Sequence, residues 1–340
     1  MVSLQTWTVF ACTAAYGHLS VLLYLTIVYT IRKHRHVFDS SFFQLFTYEA
    51  ALNTLLYFIN FFSMRVTMIA DVDSALGDFY RDLGELVHSQ LFLTFPDAAT
   101  FLNFCFGMRL HMSYVQYSLT AWTTLNRATV LLNHNYFEPV WKKWCLPLVV
   151  VTFVAPLSLT HVVFGYHSRF VYQQSAGTYS LSSDWPSGSI YAVLVPFVCV
   201  CSAFSLTLNL AIFFVVRTMG SSSASRRANL NLVCIMIVTS GVQGVGTAMT
   251  ASLVHLKMSA AVYAVLRTCL PYVSDALTLV PAWLLVAFSR PASQRWPRNS
   301  DNGLSSLQVQ EKLKLLLGCP LRGAKTKVNS SLGRSVARSA

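Results

Sequence analysis

Apolar residues run along this chain in seven long blocks separated by short polar connections. The blocks span 8–31, 41–64, 99–125, 144–165, 189–216, 230–254 and 261–288. Each holds at least twenty-two residues. At 1.5 Å rise per residue that is enough to cross a hydrocarbon core of ~30 Å as a helix. The pattern predicts an all-α membrane protein, a seven-transmembrane helix bundle, with a short tail at 1–7, the bundle at 8–288 and a basic tail at 289–340.

Charge then orients the bundle. The connections 32–40, 126–143 and 217–229 and the tail 289–340 together carry 19 Lys and Arg, whereas 1–7, 65–98, 166–188 and 255–260 carry 4. Short loops rich in Lys and Arg stay cytoplasmic, so the amino terminus is expected outside and the carboxyl terminus inside. Acidic residues lean the other way: Asp71, Asp73, Asp78, Asp82, Glu85 and Asp97 give the first outer loop a negative field. The first block exceeds the 7–15 residues of a signal-peptide core and reads as a retained signal anchor. Composition agrees, with 54% hydrophobic and 11% charged residues against ~25% charged in soluble domains. The net charge of +12 sits where the inner leaflet would be. No basic patch interleaves with stacking aromatics, which argues against nucleic acid.

The polar residues inside the blocks carry the candidate chemistry, because ionisable groups in hydrocarbon must be paired or wet. Glu49, Asn53 and Asn60 return to nearly the same helical face and should point into the bundle. Asp275 lies at the middle of the seventh block. Glu49 and Asp275 either share a proton, water cluster or cation, or each bonds another helix. Arg109 lies about 16 Å from the outer end of the third block at helical rise, with Cys105, Met112 and Gln116 on its face. Arg267 lies in the outer part of the seventh. The two arginines read either as a clamp for an anionic ligand or as members of internal ion pairs, with Arg109–Asp275 the natural candidate. His111 and His161 read as satisfied helix histidines.

In the sixth block Gly241, Gly244 and Gly246 read either as a close-packing stripe or as local helix weakness. Asn126, Arg127, Lys142, Lys143, Arg226 and Arg227 gather on the expected inner side. The connection 217–229, with its Gly-Ser-Ser-Ser-Ala-Ser run, reads as flexible. The cytoplasmic tail reads as mostly disordered; within it 304–317 reads either as unstructured or as an amphipathic helix on the inner leaflet, with Cys319 as an acylation point. The eight cysteines show no zinc spacing, and no hydrolase or nucleotide-loop signature is present. The reading is therefore not an enzyme, with no cofactor and no metal.

Several fragments carry a family resemblance. Asp39-Ser-Ser-Phe-Phe-Gln-Leu-Phe46 opens the second block and Tyr57-Phe-Ile-Asn-Phe-Phe-Ser-Met-Arg65 closes it. Leu125-Asn126-Arg127 ends the third, and Tyr136-Phe-Glu-Pro-Val-Trp141 follows. The seventh reads Leu270-Pro-Tyr-Val-Ser-Asp-Ala-Leu-Thr-Leu-Val-Pro-Ala-Trp283, then Phe288-Ser-Arg290. In order and spacing these resemble nematode serpentine chemoreceptors of the Srg class over about residues 10–295, with the Srv class close by. The resemblance implies a G-protein-coupled-type chemosensory receptor in the plasma membrane of sensory neurons. Its partners would be a small-molecule ligand, a heterotrimeric G protein and the bilayer. Arg127 would be either the G-protein-facing arginine or an ordinary positive-inside anchor, and Asn126 stands where rhodopsin-like receptors have an acid. No cysteine falls in 166–188, so the disulfide tying that loop to the third helix in rhodopsin-like receptors cannot form. A ligand-gated cation channel subunit and a small-solute transporter are the alternative functions.

Overall fold

The computed structural model describes residues 4–289, apart from 37, 71–74, 89–95, 174–177, 219–222 and 257–258. Nine α-helices lie in these residues: α1 Leu4–Lys33, α2 Ser41–Asn60, α3 Ala75–His88, α4 Pro96–Leu132, α5 His134–Val154, α6 Leu157–Phe164, α7 Ser187–Thr218, α8 Ser223–His255 and α9 Ala260–Ser289. Seven helical rods thus correspond to the seven apolar blocks, the fourth being the pair α5 and α6, which is bent by 43°. The bend falls at Ala155-Pro156, where Pro removes a backbone donor. α4 lies at the centre, packed against α2, α5, α6 and α7, while α1 closes against α2 and α9.

Among the described residues, four helices are long and apolar enough to cross a membrane: Thr6–Lys33, Tyr191–Thr218, Leu230–His255 and Thr268–Ala287. The bent pair makes a fifth. α2 and α4 fall outside that set. α2 carries Glu49, Asn53 and Asn60; α4 carries Asn103, Arg109, His111, Gln116 and a row of threonines. Their polar groups face inward: Asn53, Asn60, Asn103, His111 and Gln116 are all buried. The outward surface is apolar instead. On α1, Leu19, Leu22, Leu25 and Tyr29 are all more than half exposed, as are Val200 and Phe214 on α7. Such a surface suits lipid rather than water.

Two inner connections differ from the sequence expectation. The stretch 126–143 was expected as a loop. Instead α4 runs on to Leu132, and α5 begins almost at once at His134, capped by Asn133, whose side chain accepts from the Tyr136 backbone N–H at 3.2 Å. The stretch 217–229 is likewise largely helical: α7 reaches Thr218 and α8 starts at Ser223. Arg226 and Arg227 therefore lie on a helix rather than in a flexible loop.

The outer side is more structured than its polar sequence suggests. α2 continues into a π-helical turn, Phe61–Arg65, and a 3-10 turn, Val66–Ile69. The amphipathic α3 follows, and the connection after α6 folds as a hairpin, β1 Ser168–Gln173 against β2 Thr178–Ser183, with Phe170 opposite Leu181. Tyr80 of α3 is fully buried, its ring 4.5 Å from Phe170 and 5.9 Å from Tyr179. Burial pushes the Tyr80 phenol above its ordinary range. Phe62 completes this aromatic cap. Of the acidic residues expected to set a negative field, Asp78 and Asp82 pair with Arg81. The segment 304–317 and Cys319 lie outside the described residues.

Candidate functional site

Polar side chains on α1, α2, α4 and α9 build a continuous seam inside the bundle. Tyr24 donates to the Thr278 carbonyl at 2.7 Å, and Asn53 donates to the Tyr24 hydroxyl at 3.4 Å. Gln116 on α4 donates to Asn53 Oδ1 at 3.2 Å. One turn pair further out, Asn60 donates to Ser274 at 3.3 Å. The Asn53–Asn60 stripe thus does face the interior, and its work is to join helices. Glu49, on the same face, has no hydrogen bond among the described residues. It lines a small cavity of about 40 Å³ with Thr120, Thr123 and Thr124, room enough for water by the usual requirement of ~10–15 Å³. Nothing links Glu49 to Asp275 directly.

The expected Arg109–Asp275 ion pair is not what the structure contains. Asp275 pairs with Arg65, whose guanidinium also lies 4.3 Å from the centre of the Tyr272 ring. The sequence reading had counted Arg65 as an outer-loop residue. The π turn at Phe61–Arg65 is the cause of the difference: the wider turn keeps the chain helical for one more turn and sends Arg65 inward, where it is 3% exposed. Such turns frequently occur at functional positions. The signal in the sequence was an arginine ending an uninterrupted apolar run, a place where a long cation can as easily turn in as out.

With Asp275 taken, Arg109 has no carboxylate partner among the described residues. It lines a cavity of about 170 Å³ between the outer halves of α2, α4, α7, α8 and α9. Asn60, Ser113, Gln116, Tyr117, Tyr191 and Thr250 contribute polar atoms to the wall, and Leu56, Leu110, Leu194, Val198 and Leu277 supply apolar surface. Two expected ligand residues, Arg109 and Gln116, therefore meet at one cavity. Met112 does not join them. It is fully buried in the core shared by α2, α4 and α5, since it lies ~60° round α4 from Arg109 on the side away from the cavity residues Phe106 and Ser113. Arg267 belongs to α9, but its side chain lies outside the described residues. His161 Nδ1 lies 2.9 Å from the Leu157 carbonyl; His111 Nδ1 lies 3.0 Å from Thr160 Oγ1, but its Nε2 is buried without a hydrogen bond, so His111 is only half satisfied.

The α8 glycines divide. A Cβ at Gly246 would stand 3.2 Å from Val273 and 3.4 Å from the Tyr117 hydroxyl, a tight approach to α9 and α4. Gly241 and Gly244 have open space where a Cβ would go, so close packing explains only Gly246.

The inner end is organised around α5. Glu138 is buried, accepting from the Ser41 backbone N–H at 2.6 Å and from the Ser41 hydroxyl at 2.8 Å. A carboxylate at the first turn of α2 meets the unpaired N–H groups and the positive end of the helix dipole. Asn126 donates to the same Ser41 hydroxyl at 2.8 Å and is 1% exposed, so it holds helices together rather than facing a partner. Arg127 lies over the Phe42 ring, 3.5 Å from its centre, with its Nε buried and without a hydrogen bond. Lys142 pairs with Asp39 at 2.7 Å and Lys143 is exposed. The side chains of Arg226 and Arg227 lie outside the described residues. Sequence reading missed Glu138; a lone acid in a basic inner connection was the available clue.

Comparison with known proteins agrees with this architecture. The chain is 22% identical over 288 residues to serpentine receptor class gamma-31 of Caenorhabditis elegans, an alignment covering 82% of this chain and 88% of that one. Residues 10–292 match the sequence model described as Srg family chemoreceptor, and the chain belongs to that family.

Proposed function

We propose that the protein is a seven-helix chemosensory receptor of the G-protein-coupled type. A small molecule enters the outer cavity at Arg109 from outside the cell, and the inner face signals to a heterotrimeric G protein. The observation that carries the reading is the pairing of a partly polar outer cavity with a basic inner surface on one helical bundle. Seven rods, with α2 and α4 shielded by the others, suit seven crossings. The charge asymmetry of 19 to 4 supports an outside amino terminus and an inside carboxyl terminus.

Signalling in this reading is a shift between two packings, and the energy available is the ligand's difference in affinity for them. The cavity touches α7, α8 and α9, so occupancy biases the positions of those helices. Their inner ends lie beside Arg127 and the basic start of α8. Arg127, Lys142, Lys143, Arg226 and Arg227 would present the docking surface. The seam through Asn53 and Gln116 lies between the two ends and transmits a change in one to the other. The plasma membrane of sensory neurons is the location that fits such a receptor.

The test is a chemical panel applied to cells expressing the full chain with a promiscuous G protein, while membrane current is recorded in parallel. A ligand-dependent second-messenger rise without current supports the proposal. Current that persists when G-protein signalling is blocked would replace it with a channel.

A further inference from the structure

We propose that the outer cavity binds a small organic carboxylate, its anionic group on Arg109 and its apolar body in the space beside it. This refines the receptor reading above and rests on it. The cation is built in and unspent. Arg65 holds Asp275, and no other carboxylate among the described residues reaches Arg109. A guanidinium keeps its charge in proteins, and an unpaired charge within a bundle marks a ligand or ion path. The fork of five donors matches the two oxygens of a carboxylate.

The rest of the wall narrows the ligand further. Most of its polar side chains are already engaged, the Tyr191 hydroxyl excepted. Asn60 donates to Ser274, and Gln116 donates to Asn53. The Ser113 hydroxyl donates to the Arg109 carbonyl, and the Thr250 hydroxyl to that of Gly246. What faces the space is one cation, one phenol at Tyr191 and a mostly apolar lining, the complement of an acid with a hydrocarbon body rather than of a sugar or a peptide. Size sets an upper bound. A cavity of about 170 Å³ is close to the ~150 Å³ that suffices for benzene in a protein interior. Benzoate, phenylacetate and acids of about six carbons are of the right scale; nucleotides and peptides are not.

The experiment uses the full-length receptor in lipid nanodiscs, probed with benzoate, phenylacetate and hexanoate, each beside its neutral counterpart, benzamide, phenylacetamide and hexanamide. Binding is read by ligand-detected NMR and by thermal shift. At least one acid should bind tenfold or more tightly than its amide, and Arg109→Gln should remove that preference while Arg109→Lys keeps part of it. Ser113→Phe, which fills the space beside Arg109, should abolish acid binding even if Arg109→Gln does not fold. Equal binding of acid and amide by the wild-type protein, a retained preference for the acid in folded Arg109→Gln, retained acid binding in folded Ser113→Phe, or no acid bound by the wild-type protein overturns the proposal. The cellular G-protein assay with the same compounds separates the two readings. Acid binding without signalling removes the receptor reading and leaves the site, whereas signalling to neutral compounds alone does the reverse.

Discussion

Breaking the Arg65–Asp275 pair is the sharpest test of the bundle's internal logic. The two side chains are 4% and 18% exposed, so neither charge is fully rehydrated once its partner is gone. Removing one member of such a pair costs about 3–5 kcal/mol, because the other loses its counter-charge. Asp275→Ala should therefore lower stability by roughly that amount. Arg65→Ala should cost at least as much, since it also removes the contact with Tyr272, worth ~0.5–2 kcal/mol. The double variant strands nothing and should recover part of the loss, leaving a coupling of ~2–3 kcal/mol between the sites. Surface staining in cells and thermal denaturation in nanodiscs report both singles and the double. Arg109→Ala combined with Asp275→Ala serves as the control and should show no rescue. If the Arg65/Asp275 double is additive within ~0.5 kcal/mol, or if Arg109→Ala rescues, the assigned pairing is wrong.

Glu138→Ala should destabilise the inner end by about 1.5–3 kcal/mol, the usual worth of a hydrogen bond to a charged group, measured as a lower denaturation temperature of the purified protein. Gly107→Ala puts a Cβ 2.7 Å from the Phe164 ring and should cost ~1–3 kcal/mol by overpacking; Gly244→Ala has open space and should stabilise α8 by up to ~1 kcal/mol. Arg127→Ala should reduce the G-protein response while surface amount and ligand binding change little; a full response would make it a topology anchor. An epitope at Met1 should label intact cells, and one at Ala340 only permeabilised cells; the reverse pattern refutes the proposed orientation.

The rods were legible because hydrophobic runs of more than twenty residues have few other solutions. The inner connections were not, because helices that continue past the bilayer become polar, and the residues 126–143 then look like any loop. α3 did carry a helical spacing of apolar residues, Leu76, Phe79, Tyr80 and Leu83, masked by the acidic residues between them; the hairpin was hidden because its apolar residues are few, and Phe170 buries against Tyr80 and Phe62. At the site, Arg109 and Gln116 were found by spacing on one face. Met112 failed because, at ~100° per residue, it lies ~60° round α4 from Arg109 on the side opposite Ser113 and Phe106, and that side meets the core rather than the cavity. Arg65 was missed because a π turn changes which way a side chain points without leaving a mark in composition. Pairings between helices, such as Arg65 with Asp275 or Glu138 with Ser41, depend on distances that no single-chain pattern encodes.

The tie between the outer hairpin and α4 is a hydrogen bond. Asn103 on α4 accepts from the Ser168 backbone N–H at 2.8 Å, both groups buried, at the start of the loop that lacks cysteine. The cap is held by that bond and by aromatic packing, and Cys105 nearby is a free thiol. Among the described residues the outer face is therefore held without a disulfide. A reducing extracellular medium should leave its shape and its response unchanged, whereas Asn103→Ala should loosen it.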